Sequence, residues 1–161
     1  MNKTIVLYTR RNVGLYALSY LIAKGYKVKV ITDDEDVKWM AKVYNCEEVT
    51  FDTMGVDFSL FLCVHGNRIL KKEYLQEGRM VNVHPMLEKY KGKNPISRYI
   101  THGDLEGSVS SHFMTEIVDE GEIIHTERFY TGKVDEYSQF YNLAVPFYFR
   151  CIHETIKKVL G

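Results

Sequence analysis

The chain has 161 residues, 45% of them hydrophobic, and its 21 basic and 21 acidic residues cancel to a formal net charge of zero with histidine neutral. Such a length suits one domain with a sizeable core, the composition is that of a soluble globular protein, and the balanced charge argues against nucleic acid as a partner. Cys46, Cys63 and Cys151 are odd in number, far apart and set in apolar surroundings, so they are expected as buried reduced thiols of a cytoplasmic protein, not as a disulfide frame or metal site. No signal peptide or apolar stretch of membrane-spanning length is seen, and no membrane partner is expected.

Lys3 to Thr9 is an apolar run of strand length. Asn12 is placed to cap a helix from Val13 to Lys24, with Leu15, Leu18, Leu21 and Ile22 on its apolar face and Gly25 just past its end. Tyr26 to Thr32 forms the next strand and completes a βαβ unit, whose right-handed crossover implies a parallel sheet. The intervening loop, Thr9-Arg10-Arg11-Asn12-Val13-Gly14, lacks the G-x-G-x-x-G spacing, which speaks against a dinucleotide cradle. Behind Asp33 and Asp34, the spacing of Val37, Met40, Ala41 and Tyr44 predicts an amphipathic helix, with Trp39 off the stripe and expected to flank the core. Glu47 to Phe51 is a short edge strand, and Phe58 to Val64 is apolar throughout, as a central strand beside the first would be.

The loop His65 to Leu70 and a short helix from Lys71 to Glu77 lead through Gly78 into a strand over Arg79 to Val83, which Pro85 must end. Asn82 and His84 are two apart and share a face at that strand's carboxyl end, where open α/β sheets bind ligands. Met86 to Asn94 is a loop over this end, and Pro95 to His102 is a helix with proline in its first turn and Gly103 as its stop. Gly107 to Ile124 is a strand, a tight turn at Asp119-Glu120-Gly121 and a second strand. A last long helix is capped by Asp135 and kinked at Pro146; its stripe of Tyr137, Phe140, Tyr141, Ala144, Tyr148 and Cys151 is either core or a homodimer contact, and His153 beside it is structural. The expected fold is α/β: a Rossmann-like, mostly parallel twisted sheet with helices on both faces, in one domain over residues 1–161.

Asn82 with His84, or Asp119 alone, is ordinary turn chemistry. Taken with Tyr90-Lys91-Gly92, Asn94-Pro95, His112, Met114, Gly121, Ile123 and Ile124 in this order, they carry a more specific signal. Over most of residues 3 to 130 the chain resembles the folate-dependent formyltransferases. The resemblance implies an N-formyltransferase whose co-substrate is 10-formyltetrahydrofolate, with no metal and a small-molecule amine as partner. In that chemistry Asn82 aims an amide N–H at the developing oxyanion, His84 as an imidazolium protonates the leaving nitrogen, and Asp119 keeps His84 charged and takes the amine's proton. His112 is read as a strand residue with a structural hydrogen bond.

By the same resemblance Asn67, Arg68, Ile69 and Leu70, with Glu116, Ile117 and Val118, contact the folate, and Gly66 permits close backbone approach. Thr9, Arg10, Arg11 and Asn12 fall where members acting on glycinamide ribonucleotide carry a glycine-serine loop that holds the substrate phosphate. That loop is absent, so the favoured acceptor is a nucleotide-linked amino sugar; the alternatives are glycinamide ribonucleotide, a hydrolase releasing formate, and an idle folate-binding module. Glu88 also departs from the proline usual before the tyrosine pair, which bears on the shape of the loop and the choice of acceptor. No tRNA-binding extension like that of methionyl-tRNA formyltransferases is visible, and a minimal catalytic domain is expected.

Overall fold

The computed structural model describes residues 3–161. In chain order the elements are β1 (Thr4–Thr9), α1 (Arg11–Ala23), β2 (Lys27–Ile31), α2 (Glu35–Val43), β3 (Glu47–Glu48), β4 (Leu60–Val64), a 3₁₀ turn (Lys72–Tyr74), β5 (Met80–Pro85), α3 (Pro95–His102), β6 (Glu106–Phe113), β7 (Ile123–Tyr130) and α4 (Tyr137–Leu160). They form one seven-stranded sheet in the order β3-β2-β1-β4-β5-β6-β7. The first five strands run parallel, and β6 and β7 are added antiparallel. The expected mostly parallel α/β sheet is therefore present. Among the described residues no helix is long and apolar enough to cross a membrane.

The centre of the sheet is apolar on both sides because alternate residues of each strand enter different cores. Leu60, Leu62 and Val64 of β4 join Ile5 and Leu7 in a cluster completed by residues from all four α-helices, while Phe61 and Cys63 join Val6 and Tyr8 in a second cluster. Each such side chain, fully buried, contributes roughly 1.5–3 kcal/mol. The second face departs from expectation. It is covered by Val49, Met54, Phe58 and the segment around the 3₁₀ turn, not by α-helices. The segment 71–77 makes only that turn because Leu75 is already extended, at φ −71 and ψ 129.

Several ends differ from the sequence reading for local reasons. Asn12 lies inside α1, whose first residue Arg11 gives its N–H to the Asp34 carboxylate at 3.0 Å. The predicted end holds: Gly25 takes φ +77, its N–H reaches Ile22 O, and Tyr26 N–H reaches Leu21 O, which satisfies the last carbonyls. In α2 only Val37 and Ala41 are buried, too narrow a stripe to take in its neighbours, so Trp39 stands 67% exposed and Tyr44 is exposed as well. The edge strand stops at Glu48 because Thr50 and Thr53 bond each other in a turn. Helix α4 is capped by Glu136, not Asp135, in a reciprocal box with Gln139, and it runs on through Pro146. Most of its stripe is core: Phe140, Ala144, Tyr148 and Cys151 are buried, and Phe147 stacks on Phe129 at 4.2 Å, while Tyr137 in the first turn is exposed. All three cysteines are free, Cys63 and Cys151 buried and Cys46 half-buried.

Candidate active site

The sheet reverses its strand order between β1 and β4, because the chain first builds outward to β3 and then returns to lay β4 and β5 on the other side. Parallel strands leave a crevice at such a point, outside their carboxyl ends. Here it opens into a cleft of about 460 Å³. Arg10 and Arg11 follow β1 into its wall, His65 to Leu70 follow β4, Asn82 to Pro85 end β5, and Tyr137 and Tyr141 enter from the start of α4.

Register decides who meets whom. Asn82 pairs with His112 across the antiparallel β5–β6 ladder, and the Asn82 Nδ2 lies 3.3 Å from His112 Nε2. The β6–β7 connection then carries Asp119 back over both histidines. It is not the tight turn expected but a loop over residues 114–122, folded so closely that a Cβ on Gly121 would fall 1.7 Å from Phe113 O. Asp119 itself adopts φ +60, a left-handed geometry costly for a non-glycine residue and concentrated at functional sites.

The Asp119 carboxylate touches both rings. One oxygen lies 3.3 Å from His84 Nε2 and accepts the Gly92 N–H at 2.7 Å, and the other lies 3.5 Å from His112 Nε2. Burial pushes the carboxyl up, but the His112 and His84 rings, the positive charge of His84 and the Gly92 N–H outweigh it and hold Asp119 well below the usual carboxylate range. The His84 Nδ1 faces Pro85 O at 2.7 Å, and its Nε2 faces Gly92 O at 3.2 Å as well as Asp119. Every neighbour on both nitrogens is an acceptor, so the ring is oriented to donate from either side. Together these groups offer a fixed carboxylate, an imidazole and an amide beside one open space.

The loop after β4 is anchored from below. The Tyr8 hydroxyl accepts the N–H groups of Asn67 and Arg68, each at 3.0 Å, and donates to Asn67 Oδ1 at 2.6 Å. Gly66 passes so near that a Cβ there would lie 2.4 Å from the Tyr8 ring. His65, at φ +62, packs edge-to-face on Tyr141 with 5.3 Å between ring centroids. Burial and the nearby Arg11 and Arg10 guanidiniums bring its imidazole down to about 4, and burial pushes the Tyr141 phenol up to about 12.

A family model for formyl transferases matches residues 5–143. The chain belongs to the formyl transferase family. Over 83 residues it is 37% identical to methionyl-tRNA formyltransferase of Coprothermobacter proteolyticus, an alignment covering 50% of this chain and 27% of that relative. It thus spans about a quarter of the length of the curated relatives it matches. The phosphoribosylglycinamide formyltransferase of Bacillus halodurans superposes with a TM-score of 0.83 at 20% identity, covering 99% of this chain and 96% of that one. The N-formyltransferase of Helicobacter canadensis, solved with folinic acid and dTDP-3-aminofucose, superposes with a TM-score of 0.76 at 20% identity, covering 99% of this chain and 65% of the other. These structural likenesses establish a shared fold.

Within this formyl transferase cleft the sequence-derived residues divide. Asn82, His84 and Asp119 converge, and Arg10, Arg11, Asn67, Arg68, Ile69, Leu70, Glu116 and Val118 line the space. Three do not. Thr9 is fully buried because its position in β1 turns the hydroxyl into the sheet, where it donates to Val64 O at 2.6 Å. Asn12 points to solvent from the first turn of α1, and Ile117 is 69% exposed at the outer rim of its loop. His112 is the residue that sequence reasoning set aside: only 2% exposed, it joins Asn82 to Asp119 while its Nδ1 holds Phe113 O at 2.9 Å. Its signal was its place opposite Asn82, which needs the strand register. Tyr137 and Tyr141 were absorbed into the helical stripe, although their position in its first turns set them apart.

Proposed function

We propose that the protein transfers a formyl group from N10 of 10-formyltetrahydrofolate to the amine of a small phosphorylated substrate, favouring a nucleotide-linked amino sugar, with residues 1–161 acting as one catalytic domain. The observation that carries the reading is the Asp119 carboxylate held between His84 and His112, with the Asn82 amide beside it, in the wall of a single cleft. The lining fits a pterin: backbone groups of Ile69 and Leu70 make no hydrogen bond among the described residues, and main-chain donors and acceptors match the edge of such a ring. Those of Asn67 and Arg68 give their N–H groups to Tyr8, so their part is to shape the loop and not to donate to a ligand.

Bound folate supplies an activated formyl carbon. Asn82 directs an amide N–H at the oxygen that becomes negative as the amine attacks, a contribution of about 3 kcal/mol for one such donor. His84 gives a proton to the departing nitrogen. Asp119, held low, does not store a proton; it passes the one released by the amine on to His84 and so restores the imidazolium. Arg10 and Arg11 offer charge for a phosphate, and His65, uncharged at neutral pH, lies with Tyr137 and Tyr141 as aromatic surface for a base. That aromatic surface favours a nucleotide-linked acceptor over glycinamide ribonucleotide, which has phosphate but no base. The complex of the Helicobacter canadensis relative with dTDP-3-aminofucose supports the same choice.

Calorimetric titration with a stable 10-formyltetrahydrofolate analogue, alone and then with nucleotide-linked amino sugars or glycinamide ribonucleotide, tests the reading. Saturable folate binding that tightens with a nucleotide sugar is the expected result. Tightening with glycinamide ribonucleotide alone would move the acceptor to purine synthesis, formate release without any amine would indicate a hydrolase, and absence of folate binding would end the proposal.

A further inference from the structure

The acid–base pair is bracketed by the two backbone polar groups of a single residue. Gly92 gives its N–H to Asp119 and its carbonyl faces His84 Nε2, so the position of this one glycine sets the environment of both groups. Gly92 takes φ +79 in a loop with no regular structure, and among the described residues it makes no backbone–backbone hydrogen bond. The restraint comes from α3. The Arg98 Nη2 donates to Lys91 O at 2.5 Å and to Lys93 O at 3.0 Å, so one amino group spans the carbonyls on either side of Gly92.

Arg98 is spared for this task. Among the described residues no carboxylate pairs with its guanidinium, the nearby Asp104 being taken by Lys89 and Tyr90, and its buried Nε has no hydrogen-bond partner while Nη2 serves the two carbonyls. The guanidinium instead lies over the Tyr90 ring, 5.3 Å from the centroid, and the Tyr90 hydroxyl donates to Asp104 at 2.5 Å. A continuous path thus runs from Asp104 through Tyr90 and Arg98 to the Gly92 peptide and on to Asp119 and His84.

We propose that Arg98 is a positioning residue for formyl transfer, clamping the Lys91 and Lys93 carbonyls so that Gly92 keeps its N–H on Asp119 and its carbonyl against His84. The inference rests on the proposed transferase reaction for its kinetic consequence, while its structural part is measured without turnover. Lysine keeps a donor nitrogen but lacks the planar guanidinium that lies over the Tyr90 ring, so it holds the carbonyls without that second restraint.

The test compares the full-length protein with Arg98→Ala and Arg98→Lys. Hydrogen exchange at the Gly92 amide reports the clamp directly, calorimetry with the stable folate analogue reports binding, and steady-state kinetics separate kcat from KM. Arg98→Ala is expected to lose Gly92 protection and to lower kcat about 10- to 100-fold, the scale of a small misplacement of reacting groups, while folate affinity and amine KM stay within about twofold. Arg98→Lys is expected to fall between, and millimolar guanidinium should return part of the kcat to Arg98→Ala. Unchanged Gly92 protection overturns the clamp, and lost protection with wild-type kcat overturns its role in the reaction. A rise in KM with kcat intact overturns it as well. Should Arg98→Ala fail to fold by circular dichroism, Arg98→Lys decides by the same criteria. If the wild-type protein turns over no amine, the transferase reading fails separately, and the Gly92 amide still judges the clamp.

Discussion

At the scale of single residues, the site concentrates its cost in a few side chains. Asp119→Asn keeps the shape but removes the carboxylate charge beside His84 and the acceptor of the amine's proton, so kcat should fall at least about 100-fold with an unchanged circular dichroism spectrum. Wild-type activity in that variant would remove Asp119 from the chemistry. His65 makes a separate prediction through pH. Its native imidazole titrates near about 4, below its ordinary 6.5, so between these values the unfolded chain takes up a proton that the native chain declines. The stabilisation from His65 is therefore complete above about pH 6.5 and drains away as pH falls toward 4. His65→Asn, which tolerates the left-handed backbone and does not titrate, should flatten the dependence of Tm on pH across that window. Asp119 acts in the same direction lower down, its stabilisation present above about pH 4 and lost as acid protonates the carboxylate. Two acid limbs, one erased by each substitution, are expected in thermal melts; a single limb unaffected by His65→Asn would contradict the first.

At the scale of elements, legibility in the sequence followed how local the determining contacts are. Helix α3 has both its ends where Pro95 and Gly103 predict them, because proline and glycine act on their own backbone. The β1-α1-β2 unit was readable in its strands and in the helix end at Gly25, written within a few residues of one another, but not in the helix start, where Asp34 from beyond β2 takes the Arg11 N–H. The loop holding Asp119 was not. Asp-Glu-Gly carries the local signature of a hairpin, yet the conformation answers to Gly92 and His112, which are near only in the fold. Trp39 misled for the opposite reason: its apolarity suggested burial, but α2 has no further surface to cover it. The same reasoning predicts where the elements are fragile. Gly121→Ala would drive a methyl into the Phe113 carbonyl and push the loop off β6, so both stability and turnover should collapse. Glu136→Ala opens the reciprocal cap of α4 and should cost about 1 kcal/mol in urea unfolding, while weakening acceptor binding through Tyr137 and Tyr141 more than folate binding. Equal losses for both ligands would mean that the start of α4 does not serve the acceptor alone.

At the scale of the whole molecule, a net charge of zero conceals an uneven arrangement. Arg10, Arg11, Arg68 and Lys93 line the cleft, against only Glu116 and Asp119 of opposite sign, so the cleft attracts anions although the protein does not. KM for a phosphorylated acceptor should therefore rise as salt increases from about 0.01 to 0.15 M, where the screening length shrinks from about 30 to 8 Å, with kcat nearly constant. A salt-independent KM would show that the arginines do not steer the substrate. The chain's single tryptophan lies elsewhere, on the outer face of α2 and 67% exposed. Its indole is wet in the native state and remains wet when the chain unfolds, so its emission colour should shift little on denaturation and still less when a ligand enters the cleft. The native emission is in effect blind to folding and binding, and Tyr137→Trp would place a reporter where the acceptor is expected to dock.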